Sequence, residues 1–151
     1  MGQSLAKVAL HIVFSTKNRV PWLKDKSVRG DLYAYMATIL KALDSPAIKI
    51  NGVEDHVHIL CLLSRNHAIA EILEEVKKQP SRWIKTKGPA YRGFSWQRGY
   101  GVFSVSESMI DAVREYIDDQ EEHHKTMSYQ DEFRELCRRH GVEIDERYVW
   151  D

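Results

Sequence analysis

The stretch "AKVALHIVFSTKNR" (residues 6–19) carries apolar residues on both alternating faces, which predicts a strand lying centrally in a sheet. From Asp25 to about Asp44, Val28, Leu32, Met36, Ile39 and Leu43 recur at helical spacing, and Ser45-Pro46 ends the run. "AIKING" (47–52) and "HVHILCLLS" (56–64) predict two strands joined by a turn around Gly52. A second helix starts near His67 and buries Ile69, Ile72, Leu73 and Val76. Pro80 lacks an amide proton and is expected to break it, leaving the turn of Trp83 and Ile84 separate. "KGPAYRGFS" is a loop, and "WQRGYGVFSVS" is the fourth strand. Ser106 is expected to cap a helix from Glu107 to about His124, with Ile110, Val113 and Ile117 as its apolar stripe. "SYQDEFRELCRRHG" is a last helix stopped by Gly141, and Val149 and Trp150 anchor an acidic tail.

Strand, helix, strand, strand, helix, strand is the order of a βαββαβ core. It predicts an α+β fold: a ferredoxin-like antiparallel sheet with its helices on one face and additional C-terminal helices. The first and third strands are neighbours at the centre of such a sheet, which places the histidines of "HVHILCLLS" in its interior. A single domain spanning residues 1–151 is expected, without repeats or linkers.

Composition narrows the classes. With 43% hydrophobic and 29% charged residues the chain reads as an ordinary globular domain, and no apolar run is long enough to cross a bilayer. Two cysteines, Cys61 in an apolar run and Cys137 in a helix, suit a reducing cytoplasm better than a disulfide framework. The net charge of zero hides an asymmetry: residues 1–100 hold 16 Lys and Arg against 8 Asp and Glu, and the remainder reverses the balance. Between Val76 and Arg98 seven basic residues meet no acidic one, and Trp83, Tyr91, Phe94 and Trp96 are interleaved among them. Basic side chains attract phosphates and aromatic faces stack on unpaired bases, so this segment is either a nucleic-acid surface or a solvated helix with core aromatics.

Two places carry candidate chemistry. His56 and His58 are two residues apart on a strand and share a face, so they either pack quietly in the core or hold an ion between them. Glu54 falls on their face as a further possible ligand, whereas Asp55 points away as a turn residue. Along the later helix, Tyr116 and Gln120 are four apart and share a face beside the apolar stripe. His123, His124 and Lys125 follow where cations offset a helix dipole, with a metal role for the two histidines as the minor alternative.

Taken in order, "HIVFSTKNR", "EDHVHIL", "GYGVFSVS" and "YIDDQEEHHK" resemble the single-tyrosine HUH transposases of the IS-two-hundred-like insertion-sequence family, from about Ala6 to Lys125. The resemblance implies a DNA transposase that cuts and rejoins single-stranded DNA at element ends through a 5′-phosphotyrosine intermediate. It implies Tyr116 as the nucleophile, and Mg²⁺ or Mn²⁺ held by His56, His58 and Gln120. It further implies a homodimer, a mobile Tyr116 helix, and hairpins in single-stranded DNA as the partner. The residues expected to contact that DNA are Lys77, Lys78, Arg82, Trp83, Lys85 and Arg98, joined by Lys17 and Arg19. Two other readings stay open. One is a host-adopted HUH endonuclease acting on repeat hairpins, and the other is a non-catalytic single-stranded nucleic-acid-binding module.

Overall fold

The computed structural model describes residues 2–151. Alternation sorts the side chains of the first strand, β1 (Ala9–Ser15), into two sets. Leu10, Ile12 and Phe14 face one way and are buried with Val57, Ile59 and Cys61. His11, Val13 and Ser15 face the other. With β2 (Ala47–Gly52), β3 (His56–Leu62) and β4 (Gly101–Val105), β1 forms an antiparallel sheet in the order β2-β3-β1-β4. The first and third strands pair at its centre, as expected of the ferredoxin-like core. The first strand is shorter than its sequence suggests: after Ser15 the chain turns through a single 3-10 turn at Lys17–Arg19, where Asn18 and Arg19 have positive φ.

Two long helices cover the Leu10 face. In α1 (Lys26–Ala42), Asp25 caps the N-terminus by accepting from the amides of Ser27 and Val28. The second helix, α2 (Ile69–Lys85), continues through Pro80 instead of breaking there. Tertiary contacts hold its far half: Ile84 is buried in the core, and the Trp96 indole donates to the Lys77 carbonyl at 3.1 Å. Such packing outweighs the loss of one intrahelical bond.

The opposite face of the sheet is covered by the additional C-terminal helices. It lies under α3 (Ile110–Asp118), α4 (Gln120–His123) and α5 (Tyr129–Arg139). Val13 and Phe103 of the sheet are buried with Tyr129, Phe133, Leu136 and Cys137 of α5. Each such large side chain contributes roughly 1.5–3 kcal/mol on burial. Val149 and Trp150 of the tail pack against the same cluster.

The expected helix over 107–124 is divided. A 3-10 turn, Glu107–Met109, opens it, and Ser106 makes no side-chain cap. A break at Asp119 separates α3 from α4. At the break a side chain distant in sequence takes over: Asn51 Nδ2 on β2 donates to the carbonyls of Ile117 (3.0 Å) and Asp118 (3.1 Å), replacing donors from the next helical turn. No helix among the described residues is long and apolar enough to cross a membrane.

Candidate metal and tyrosine site

The pairing of β3 with β1 sets His56 opposite Ser15 and His58 opposite Val13, so both imidazoles rise from the face beneath α3, α4 and α5. Both are fully buried, with ring centroids 5.2 Å apart. Each Nδ1 has a partner at 2.7 Å: Asp55 Oδ1 for His56, and His11 Nε2 for His58. Asp55 therefore orients a site residue, contrary to the expectation that it points away. Glu54 is exposed and takes no part. The strand begins only at His56, so the alternation used to place Glu54 and Asp55 does not extend back to them.

From above, α3 and α4 bring in Tyr116 and Gln120, and the meeting point is Glu132 of α5. The Tyr116 hydroxyl and Gln120 Nε2 (3.1 Å) both donate to Glu132 Oε2. Glu132 Oε1 faces three imidazole nitrogens: His58 Nε2 at 2.8 Å, His124 Nε2 at 3.0 Å and His56 Nε2 at 3.2 Å. Gln120 Oε1 lies 3.1 Å from His56 Nε2. Thus Tyr116, His56, His58 and Gln120 converge within one chain despite the break at Asp119. His123 stays outside, its ring packed on that of Tyr116 at 4.7 Å.

His56, His58, His124 and Glu132 offer ligand atoms that all lie within 4.8 Å of one another. Imidazole nitrogens with a carboxylate and an amide oxygen form a donor set that fits a divalent ion. Glu132 and His11 were not legible as site residues. The signal for Glu132 was there: it occupies a position on the apolar stripe formed by Tyr129, Phe133 and Leu136, where a charged side chain needs buried partners.

The electrostatics follow from burial and from Glu132. Burial penalises the Glu132 charge, but the imidazoles of His58, His124 and His56 outweigh this and hold its carboxyl well below the usual range. Burial alone would lower His56, yet its bonds to Asp55 and Glu132 push it up to about 9. His58 is lowered by burial, and His11 is pushed down to about 3 by burial and by His58. Burial and the adjoining carboxylate raise the Tyr116 phenol above its ordinary value. Beside the phenol a cleft of about 540 Å³ is lined by His11, Ser104, Ser106, Arg139 and His140.

The basic residues singled out in the sequence do not form one surface. Lys77 donates to the carbonyls of Gln97, Arg98 and Gly99 at 2.6–3.2 Å, and burial pushes its ammonium down to about 8. Phe94 and Trp96 are core residues. Lys78 pairs with Glu75 at 3.0 Å, and Arg82 and Lys85 are exposed on α2, across the sheet from the histidines. Trp83 stacks on Tyr35 with centroids 5.7 Å apart. Lys17 and Arg98 line a common cavity together with Asn18 and the acidic Asp151, and Arg19 Nη1 donates to the Trp150 carbonyl at 2.7 Å.

Comparison with known proteins agrees with this architecture. The family model described as "Transposase IS200 like" matches residues 4–120. None of the curated proteins matches the chain. Among solved structures, a candidate transposase from Deinococcus radiodurans R1 superposes with a TM-score of 0.61 at 25% identity, covering 80% of this chain and 96% of that one. A REP-associated tyrosine transposase bound to a REP hairpin has a TM-score of 0.60 at 13% identity, covering 82% of this chain and 73% of that one, and so shares the fold. The four-stranded sheet, the helices on both its faces and a family match over most of the length lead to one assignment: the chain belongs to the IS200-like transposase family.

Proposed function

We propose that this transposase cuts and rejoins single-stranded DNA with Tyr116 as nucleophile and His56, His58 and Gln120 as ligands of a divalent ion, Mg²⁺ or Mn²⁺. The observation that carries the reading is the convergence at Glu132: the Tyr116 hydroxyl bonds to the same carboxylate that the two strand histidines face. A nucleophile and an ion site then lie one carboxylate apart, close enough to act on one phosphate. The Tyr116 oxygen attacks phosphorus, the bond to the 3′-oxygen breaks, and the products are a 5′-phosphotyrosine link and a free 3′-hydroxyl. Reversal by another 3′-hydroxyl rejoins the strand without an external energy source.

A phenol is a poor nucleophile at neutral pH, and here burial and Glu132 hold its proton more firmly still. A bound divalent ion supplies the opposing charge, stabilising negative charge as it develops on the phosphate. The protein's own groups orient the reaction. Glu132 and His123 fix the Tyr116 ring, Asp55 and His11 fix the two imidazoles, and the adjoining cleft gives a strand room beside the phenol. Hairpin DNA is the candidate ligand, because a REP hairpin is what the structurally similar transposase holds. Within one chain the Tyr116 hydroxyl and the two strand histidines meet the same carboxylate, which supports cleavage in cis, and exchange between two ends suits a homodimer.

The test incubates hairpin-bearing single-stranded DNAs with the protein and Mn²⁺ or Mg²⁺, then resolves covalent adducts on a denaturing gel. A metal-dependent adduct mapped to Tyr116 by mass spectrometry, and lost in Tyr116→Phe, is expected. Tight, salt-sensitive binding without any adduct would instead identify a non-catalytic binding module.

A further inference from the structure

We infer that His124 and Glu132, both beyond the family-matched segment, complete the metal site with His56, His58 and Gln120, and that this donor set selects a first-row transition ion such as Mn²⁺ over Mg²⁺. The inference rests on the ion site proposed above and extends it to two residues and a metal preference.

The hydrogen-bond inventory carries it. A backbone carbonyl and a carboxylate can only accept, so the nitrogen facing each must hold the proton. His124 Nδ1 lies 2.6 Å from the Met127 carbonyl, and His56 Nδ1 lies 2.7 Å from Asp55 Oδ1. In the neutral ring the remaining Nε2 is then a bare lone pair. Yet both of these Nε2 atoms point at acceptors: Glu132 Oε1 for each, and Gln120 Oε1 as well for His56. A proton on Nε2 can bridge such a pair in the metal-free chain, and a divalent ion in its place would take the inward lone pairs together with Glu132 Oε1. His58 fits the same pattern, since His11 Nε2 at 2.7 Å can accept from its Nδ1 and leave Nε2 free. All three rings thus have an outer partner on Nδ1 and direct Nε2 inward, the arrangement by which outer groups orient metal-bound histidines.

The spacing agrees. Glu132 Oε1 stands 2.8–3.2 Å from the three nitrogens. Neighbouring ligands around a six-coordinate ion, each at about 2.1 Å, are about 3 Å apart. Metal preference follows from ligand type: imidazole suits first-row transition ions, whereas Mg²⁺ favours oxygen ligands and retained water.

The test titrates the metal-stripped full chain, without DNA, with Mn²⁺ and separately with Mg²⁺ by calorimetry. One Mn²⁺ per chain is expected, bound at least 100-fold more tightly than Mg²⁺. His124→Asn and Glu132→Gln, checked for folding by circular dichroism, should each weaken Mn²⁺ at least tenfold. Pulsed electron paramagnetic resonance on the Mn²⁺-bound wild-type chain needs no variant and should count three coupled imidazole nitrogens. Two nitrogens, or variants within threefold of wild type while His56→Ala loses the ion, would overturn the inference and leave the two-histidine site standing. Equal affinities for the two ions would overturn the preference. A wild-type chain that binds neither ion would overturn the inference and the metal-assisted reading together.

Discussion

His56 in the metal-free chain holds a proton that the unfolded chain gives up near neutral pH. Its folded value of about 9 lies above the ordinary 6.5, so its contribution to stability is complete below 6.5 and is lost as pH rises through 9. His58 and His11 are depressed and act oppositely, but only below 6.5. A shift of this size corresponds to about 3 kcal/mol. Melting temperatures in chelator should therefore fall more between pH 7 and 9 for wild type than for His56→Gln, and parallel curves would refute the assignment. The histidine pair itself was legible, because a period of two on a strand is a local rule. Asp55 was misplaced because the alternation of β3 does not reach back to it, Glu132 gains its role from histidines that folding brings beneath its helix, and His124 was legible only as a minor metal alternative.

At the scale of elements, apolar periodicity marked every strand and long helix, because each must bury a face. It failed where a distant side chain decides the outcome. Pro80 has the sequence of a breaker, but contacts from Trp96 and Ile84 carry α2 through it. The end of α3 is set by Asn51, 66 residues away from Ile117. Asn51→Ala should remove two hydrogen bonds, one part-buried and one exposed, and cost about 1 kcal/mol, read from urea denaturation. Asn51→Asp should be at least as harmful, since a carboxylate offers no donor and sets its charge against those carbonyls. Both variants should also lower the yield of the Tyr116 adduct, because Tyr116 and Gln120 lie on either side of the break and bond to the same carboxylate. Unchanged stability in both would show that the break is encoded within residues 110–123 alone.

Across the whole molecule, the charge asymmetry of the sequence becomes a question of which cations remain free for phosphate. Read linearly, the segment from Lys77 to Arg98 is either a nucleic-acid surface or a solvated helix with core aromatics. Folding divides it, turning Lys77 inward onto three carbonyls and leaving Arg82 and Lys85 across the sheet from the histidines. Lys17 stands elsewhere. Thr16 donates its amide to the Asp55 carbonyl, so Lys17 leaves the sheet at the end where His56 begins β3, and it shares a cavity with Arg98. A strand reaching the histidines through that end passes these two cations first. Each phosphate contact in single-stranded DNA contributes about 0.7 to the slope of log affinity against log salt. Lys17→Ala and Arg98→Ala should each flatten the slope by about that amount. Lys77→Met should leave the slope unchanged and lower the melting temperature, because its ammonium ties residues 97–99 to α2. Fluorescence anisotropy on a hairpin DNA across a salt series separates the two cases. A flattened slope for Lys77→Met with none for Lys17→Ala would move the DNA path to the α2 side of the sheet, away from Tyr116.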